Sequence, residues 1–282
     1  MYYGLLTLSV ILFGIQFLFN KQYQQQSGSG IGATFIFTFL SSLVGAVCLL
    51  IINQFRLGFT PFTLLMAILA AINSILYSFC SLKAFEHINL SLYSLFAMLG
   101  GMLLPFFVGI VFYDEPITYA NIICVIFIGV ALLFTFEKGE KKKGYLYYAG
   151  VFVLNGMSGV LSKMFQAIQT EKTDSASYSI WIALNTMIIS GIILLIIRKK
   201  LEKPNKKAVL YTAGYGSINT VANYMLLLAL AVLPASVQYP FVTGGVMIVS
   251  TVISILCKQT PSKKEIAAVA LSFVGVLVLV IL

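Results

Sequence analysis

The chain has 282 residues, of which 60% are hydrophobic and 10% are charged. Its mean hydropathy is +0.98. A soluble protein of this composition would lack the polar surface that water requires, so a soluble globular fold is excluded. The net charge of +9 does not indicate nucleic-acid binding, because the Lys and Arg residues cluster in short segments between apolar stretches, as is typical of juxtamembrane charge.

Ten apolar stretches follow one another, each of about the 20 residues that a helix needs to cross a bilayer. The first lacks the basic start and small-residue cleavage site of a signal peptide, so we interpret it as a transmembrane helix. Ten helices with short turns use nearly the whole chain and leave no room for a soluble catalytic domain. The predicted spans are 2–24, 32–54, 61–85, 90–112, 117–136, 145–168, 176–197, 208–231, 235–256 and 264–282.

A charged linker at 138–144 divides the chain into halves 1–137 and 145–282, and the halves carry a weak repeat. Because each half has an odd number of helices, the second half enters the membrane from the opposite side, so the repeat is inverted. Such repeats are typical of transporters that alternate their access. An offset of 145 residues pairs Ser91 with Ser236, Gly100 with Gly245 and Pro116 with Pro261, and an offset of 142 pairs Gly14 with Gly156 and Lys21 with Lys163.

Polar residues recur at helical spacing inside several spans. Asn73 and Tyr77 are four residues apart, as are Asn219 and Asn223, so each pair lies on one helix face. A polar group facing lipid is costly, and these faces therefore meet protein or water. We interpret them as a central cavity walled by the first four helices of each half, with the apolar fifth and tenth helices at the periphery. The residues assigned to the substrate site are Gln16, Asn20, Asn73, Tyr77, Tyr93, Asn155, Ser158, Trp181, Asn219, Asn223, Gln238 and Tyr239.

Two other interpretations of these residues stay open. The polar side chains can instead join helices by hydrogen bonds without any ligand, and Trp181 can be an interfacial belt residue. Charged residues offer further options. Glu86, at a helix end, is the carboxylate that a cation exporter would use. Lys21, Lys83 and Lys163 would suit an anionic substrate, or they extend to the lipid headgroups.

The sequence contains no catalytic constellation. It has a single His and lacks a P-loop or HExxH motif, so we do not expect an enzyme. The four cysteines, Cys48, Cys80, Cys124 and Cys257, show no CxxC pairing and no nearby His. We therefore expect no disulfide, no metal site and no cofactor.

Three segments resemble the drug/metabolite transporter superfamily, specifically the ten-helix EamA-type transporters. They are residues 12–17 (LFGIQF) with a Lys following at position 21, residues 84–91 (AFEHINLS) and residues 112–118 (FYDEPIT); residues 229–236 (ALAVLPAS) echo the second of them. The resemblance implies an inverted five-plus-five fold with a central cavity and transport of small metabolites by alternating access. The chain departs from the family pattern at 257–261 (CKQTP), where the turn lacks the Glu of the first half.

The charge distribution favours one orientation in the membrane. Most Lys and Arg residues lie in loops that follow odd-numbered helices, which places those loops in the cytoplasm and both termini outside. The family resemblance implies the reverse. The compact loops are typical of a bacterial-type plasma membrane, so we expect a multi-pass protein of the plasma (inner) membrane.

The sequence thus predicts an all-α polytopic membrane protein with ten transmembrane helices. We expect a secondary transporter that moves a small polar organic metabolite, such as an amino acid or a related compound. Its partners would be that solute, the lipid bilayer and a coupling ion or proton, in a monomer or homodimer. The alternatives are an exporter of cationic or aromatic drugs, an organic-anion carrier, and a membrane scaffold without flux.

Overall fold

The computed structural model describes residues 2–113, 118–135, 144–168, 172–198, 201, 203–230, 235–258 and 261–281. These residues form ten α-helices, and each begins and ends less than one turn from its predicted bounds. The prediction of ten helices is therefore confirmed. The helices are α1 (Tyr2–Ser27), α2 (Ile31–Ile52), α3 (Pro61–Ala84), α4 (Leu90–Tyr113), α5 (Tyr119–Thr135), α6 (Tyr145–Ala167), α7 (Ser175–Ile197), α8 (Lys206–Leu230), α9 (Ala235–Leu256) and α10 (Lys263–Ile281).

Several helices are long and apolar enough to cross a membrane. By length and composition, five of the described segments meet that test: Tyr3–Ser27, Ile31–Ile52, Pro61–Ala84, Leu90–Phe112 and Ser175–Ile197. Two shorter apolar helical segments, Ile122–Ala131 and Phe241–Leu256, lie in α5 and α9.

Local capping explains where two helices begin. Pro61 occupies the first turn of α3, where its missing N–H costs nothing, and the Thr60 side chain accepts a hydrogen bond from the Thr63 backbone at 3.1 Å. At the start of α7, Asp174 accepts hydrogen bonds from the backbone N and the hydroxyl of Ser177, at 2.9 and 2.6 Å. Asp174 thus starts α7 at Ser175, one residue earlier than the apolar pattern predicts.

The contacts between helices follow the two halves of the chain. When five is added to both helix numbers of one of the larger contacts, counting on from α10 to α1, the result is again a contact of the bundle. The contact of α1 with α8 has its counterpart in α6 with α3, and α4 with α6 corresponds to α9 with α1. Likewise α2 with α8 corresponds to α7 with α3, while α2 with α7, α4 with α9 and α5 with α10 are each their own counterparts. Helices α5 and α10 pack mainly on each other and lie on one side of the bundle, against α4 and α9.

Glycines bring the backbones of α4 and α6 together. A Cβ built on Gly156 would lie 2.5 Å from the carbonyl oxygen of Gly100 and 2.6 Å from Leu104 Cβ, so only glycine allows this approach. A Cβ built on Gly100 would lie even closer to the backbone of Phe152. Helices α1 and α9 also approach each other at glycines, but there the nearest atoms are side chains: Val249 at Gly14 and Val10 at Gly245.

Hydrogen bonds join the loops at each end of the bundle. At one end, which we call the Gly28 end, Ser29 donates to Glu86 and Asn89 donates to Glu265 at 2.6 Å. At the opposite end, which we call the Gly58 end, the backbone N of Gly58 donates to the Ser177 hydroxyl at 2.9 Å.

Candidate functional site

The bundle contains a partly open cavity of about 370 Å³. Its wall is made by α1, α2, α3, α4, α6, α7, α8 and α9, and among the described residues α5 and α10 contribute nothing to it. The volume suits a small organic molecule. Six of the residues assigned to the site from the sequence lie on this wall: Gln16, Tyr77, Asn155, Ser158, Asn219 and Asn223.

The cavity extends from the middle of the helices toward the Gly58 end. Wall residues on α6, α7 and α8 lie at 155–162, 178–186 and 215–226. Toward the Gly28 end the bundle is filled by packed side chains, with Tyr23, Phe37 and Leu82 all fully buried. Phe37 packs in a tilted arrangement against both Tyr23 and Tyr215, with ring centroids 4.8 and 4.7 Å apart.

Asn20 and Tyr93 lie behind the wall, in a chain of hydrogen bonds that ends at the cavity. Asn20 Nδ2 donates to the Ser81 hydroxyl at 2.7 Å, Ser81 bonds to the Tyr93 hydroxyl at 2.8 Å, and Tyr93 bonds to Tyr77 at 2.6 Å. Tyr77 is the member of this chain that reaches the wall. The geometry makes Asn20, Ser81 and Tyr93 supports that fix the position of Tyr77.

Asn73 also supports the wall from behind. Its Nδ2 donates to the Leu154 carbonyl at 2.9 Å and to the Ser158 hydroxyl at 2.8 Å, which joins α3 to α6. Ser158 itself lies on the wall. The two residues predicted to share one polar face of α3 therefore have different surroundings: Tyr77 faces the cavity, and Asn73 faces α6.

Trp181 lies against the loop between α2 and α3. Its indole N–H donates to the Gly58 carbonyl at 2.8 Å, and its ring packs edge-on against Phe59 with centroids 5.8 Å apart. Its neighbours Tyr178 and Ile182 line the cavity. Trp181 therefore fixes the position of a loop at the Gly58 end. The side chains of Gln238 and Tyr239 lie outside the described residues.

The wall carries no charged side chain among the residues that the structure describes. Lys21 is buried near the Gly28 end, where its Nζ donates to the Ile88 carbonyl at 3.5 Å and lies 5.9 Å from the Phe85 ring centroid. Lys163 lies half-buried in α6, away from the wall. Over the described chain, no group of His, Cys, Asp and Glu is arranged to hold a metal ion.

Glu86 lies in the turn between α3 and α4, outside the cavity. It accepts a hydrogen bond from Ser29 and pairs with Lys83 at 3.5 Å. The Ser29 hydrogen bond lowers the pKa of the Glu86 carboxyl below its ordinary value; burial acts in the opposite direction, and Lys83 and His87 lower it further. Glu86 stays ionised near neutral pH and joins the loops of the Gly28 end.

The sequence predicted α2 and α7 as wall helices but did not identify the residues on them that line the cavity. On α2, small and hydroxyl residues at 38, 41, 42 and 45 form a helical stripe that lines the cavity, and on α7 the wall includes Ser179 and Thr186. Both stripes have helical periodicity that the sequence contains. Three tyrosines, Tyr178, Tyr215 and Tyr224, also line the cavity. Tyr215 lies four residues before Asn219, so it continues the stripe of Asn219 and Asn223 and could have been found from that spacing.

Two wall groups are buried without a partner among the described residues. Gln16 is 5% exposed and its Oε1 accepts no hydrogen bond, and Tyr178 is 4% exposed with an unpaired hydroxyl. Neither atom is accessible from the cavity in this arrangement. A buried polar atom without a partner is costly, so a side-chain movement that gives either atom a partner is favoured.

The fold and this internal site define a multi-pass helical membrane protein with a central solute-sized cavity. Residues 142–281 match the EamA-like transporter family, so the second half of the chain is a domain of that family, within the drug/metabolite transporter superfamily. This confirms the resemblance found in the sequence, and it makes the chain a membrane transport protein and not an enzyme.

Other comparisons bear on the fold alone. The curated proteins gave no match to the chain. Among solved structures, one crystal structure of a protein superposes with a TM-score of 0.57 at 16% sequence identity, covering 97% of this chain and 98% of that chain. The likeness of fold therefore includes the first half, which the family match does not reach.

Proposed function

We propose that the chain is a secondary active transporter for a small polar organic metabolite, such as an amino acid or a related compound. The observation that carries this proposal is the uncharged amide and hydroxyl wall of the central cavity. Gln16, Asn155, Asn219 and Asn223 supply carboxamides there, and a carboxamide offers both donors and acceptors. Such groups suit a neutral or zwitterionic solute better than a strongly anionic one.

The mechanism proposed is alternating access between two inverted five-helix halves, 1–137 and 145–282. The helix contacts that recur on shifting by five support this division. So do the glycine contacts, because the partners correspond under the sequence offsets: Gly14 with Val249 corresponds to Gly156 with Leu104. Closely packed glycine surfaces between α1 and α9 and between α4 and α6 would let the halves move against each other.

The cellular setting is also a proposal. The charge distribution and the compact loops favour the plasma membrane, with the basic loops in the cytoplasm. We further propose that an ion or proton drives transport, and that the working unit is a monomer or a homodimer.

Flux into proteoliposomes tests the proposed function. The purified chain is reconstituted and supplied with radiolabelled amino acids, amines, nucleobases, sugars and organic acids. We expect uptake of one chemical class, and we expect Asn223→Leu to reduce it about tenfold or more, because a polar contact that becomes buried when the solute binds is worth about 1–3 kcal/mol.

Asn185→Leu is the matched control. Asn185 lies in α7 off the wall, and its Nδ2 bonds to the Trp181 carbonyl of its own helix at 2.7 Å. This variant should transport as the unmodified chain does. Unchanged flux in a folded Asn223→Leu protein would reject the cavity assignment, and absence of flux for every class would reject the transporter proposal.

A further inference from the structure

The cavity comes close to the Gly58 end and stops well short of the Gly28 end. On α8 the wall runs from Tyr215 to Leu226. About 14 Å of helix lie between Tyr215 and the first residue of α8, but only about 6 Å lie between Leu226 and the last. Helix α7 runs in the opposite direction, and its wall residues, Tyr178 to Thr186, lie near its start at the Gly58 end. In this arrangement a solute therefore approaches the site from the Gly58 end.

A cluster of side chains fills the space between the cavity and the Gly28 end. It consists of Tyr23, Phe37, Leu82 and Ala208, all fully buried, with Tyr215 packed against them. We call it the Tyr23 cluster. Its members come from α1, α2 and α3 of the first half and from α8 of the second. Contacts between the halves have to separate when access changes side, so the cluster lies where a barrier to the solute is needed.

Three rings form the part of the Tyr23 cluster that adjoins the cavity. Phe37 lies between Tyr23 and Tyr215, and Tyr215 also lines the cavity. The Tyr23 hydroxyl donates to the Ala33 carbonyl at 2.7 Å, which joins the end of α1 to the first turn of α2. Rings packed at this density leave no path for water or a solute.

The Gly58 end has a corresponding pair of rings. The offset of 142 residues pairs Tyr23 of α1 with Phe165 of α6. Phe165 stacks on Tyr178 of α7, with centroids 3.9 Å apart and an interplanar angle of 7°. Since α6 and α7 are the counterparts of α1 and α2, this pair corresponds to Tyr23 with Phe37. Both ends of the pathway thus carry an aromatic contact between the same two helices of a half.

The two ends differ at the position of Tyr215. The offset of 145 residues pairs Tyr215 of α8 with Ala70 of α3, and each is the tenth residue of its helix. Ala70 lines the cavity. Phe62 also packs on Phe165, with centroids 6.2 Å apart, but it does not line the cavity. Where a phenol ring separates the cavity from the Gly28 end, a methyl group stands at the equivalent place, and the cavity continues toward the Gly58 end.

We infer that Tyr23, Phe37 and Tyr215 form the gate that closes the Gly28 end of the solute pathway, and that Ala70, in the place equivalent to Tyr215, leaves the Gly58 end open. The inference rests on the proposed transport function, because a gate requires a pathway. With the orientation proposed from the charge distribution, the gate faces the cytoplasm and the site is open to the outside.

Thiol labelling from each side of the membrane tests the gate without a known solute. One protein carries Ser42→Cys, on the cavity wall, with the four native cysteines replaced by alanine. A second protein keeps only Cys257, which is exposed at the Gly28 end and therefore identifies that face. A charged, membrane-impermeant thiol reagent is applied to intact cells and to inverted membrane vesicles, and the two labelling rates are compared.

We expect the thiol at position 42 to react about tenfold faster from the face opposite Cys257, as a gate that is closed about ten times more often than open implies. Tyr215→Ala should raise labelling from the Cys257 face about fivefold, because it removes one ring of the gate. Phe79→Ala is the matched control, because Phe79 packs on Tyr147 away from the cavity wall. Equal rates from both faces with the gate intact, or equal effects of Tyr215→Ala and Phe79→Ala, overturn the inference.

Moving the ring from one end to the other is a sharper test. Ala70→Tyr adds a ring at the Gly58 end, so it should slow labelling from the face opposite Cys257. Combined with Tyr215→Ala, it should reverse the preferred face. If the double variant is as stable to heat as the parent protein and still labels faster from the original face, the gate assignment is wrong.

The outcomes separate this inference from the proposed function. Flux in the broad panel of solutes, together with labelling that Tyr215→Ala does not change, removes the gate and leaves the transporter intact. One-sided labelling that responds to Tyr215→Ala, in a protein without flux for any class, retains the barrier and rejects the transporter.

Discussion

Gly156 of α6 lies directly on the backbone of Gly100 in α4: a Cβ added to Gly156 would be 2.5 Å from the Gly100 carbonyl oxygen. The neighbouring atom is backbone, which cannot rotate away, so any side chain at Gly156 must separate the two helices. Both helices supply cavity wall residues, among them Gly101 and Asn155. The width of this contact therefore sets the shape of the site.

Gly156→Ala is predicted to destabilise the protein. Because the added methyl group overpacks the contact between α4 and α6, we expect a loss of about 1–3 kcal/mol, measured as a lower melting temperature in detergent. Gly129→Ala is the matched control, because a Cβ at Gly129 in α5 meets nothing within 4 Å. Equal melting temperatures for the two variants would contradict the close packing described here.

The sequence predicted the helices well and the site only in part, and the reason is physical. Apolar length determines where a membrane helix begins and ends, and that information is local. A polar stripe shows that one face avoids lipid, but it does not show which neighbour that face meets. Gln16 and Asn20 lie on one face of α1, yet Gln16 reaches the cavity while Asn20 bonds to Ser81. That distinction depends on where α3 and α4 pack.

The hydroxyl stripes of α2 and α7 show the other kind of error: these residues line the cavity, but the sequence did not assign them to the site. Thr38, Ser41 and Thr186 are small, and each satisfies its own hydroxyl on the preceding turn, so they are tolerated anywhere in an apolar helix. Composition therefore gave no reason to place them in a site. Only the tertiary arrangement shows that their oxygens face a common cavity.

Tyr93→Phe is predicted to weaken substrate binding without touching the cavity. The variant removes the hydroxyl that bonds to Tyr77 at 2.6 Å, so Tyr77 loses the group that holds it. We expect KM for transport to rise about fivefold, as the loss of one hydrogen bond of about 1 kcal/mol implies, with little change in maximal rate. Tyr147→Phe is the control, because Tyr147 contacts Phe79 through its ring. A KM unchanged by Tyr93→Phe would show that Tyr77 needs no support.

Asp174 is predicted to stabilise α7 in a pH-dependent way. Burial alone would raise the pKa of the Asp174 carboxyl, but hydrogen bonds from Ser177 and from the backbone of Ala176 and Asp174 outweigh it and lower the pKa. A lowered folded-state pKa gives stability that is present above the ordinary Asp pKa and is lost as the pH falls through the folded value. Asp174→Ala should therefore cost about 1 kcal/mol near neutral pH, as loss of an N-cap does.

The difference in melting temperature between Asp174→Ala and the unmodified chain should shrink as the pH falls below the ordinary Asp pKa of about 4 and through the lower pKa of the folded carboxyl. Asp174→Asn separates the charge from the cap, because Asn also accepts the backbone hydrogen bond. We expect Asp174→Asn to be intermediate in stability at neutral pH and to depend less on pH. A difference that stays constant through the acid range would mean that the charge contributes nothing.

Glu86→Gln is predicted to leave transport intact. A carboxylate that drives cation export has to reach the substrate, whereas Glu86 lies in the turn at the Gly28 end, bonded to Ser29 and paired with Lys83. The carboxamide of the Glu86→Gln variant would still accept the Ser29 hydrogen bond, so flux in proteoliposomes should match that of the unmodified chain. Glu86→Ala removes the bond as well, and we expect it to lower the melting temperature by loosening the two loops. If folded Glu86→Gln protein loses its flux while Asn223→Leu retains it, the carboxylate and not the amide wall carries transport, and the cation exporter becomes the better interpretation.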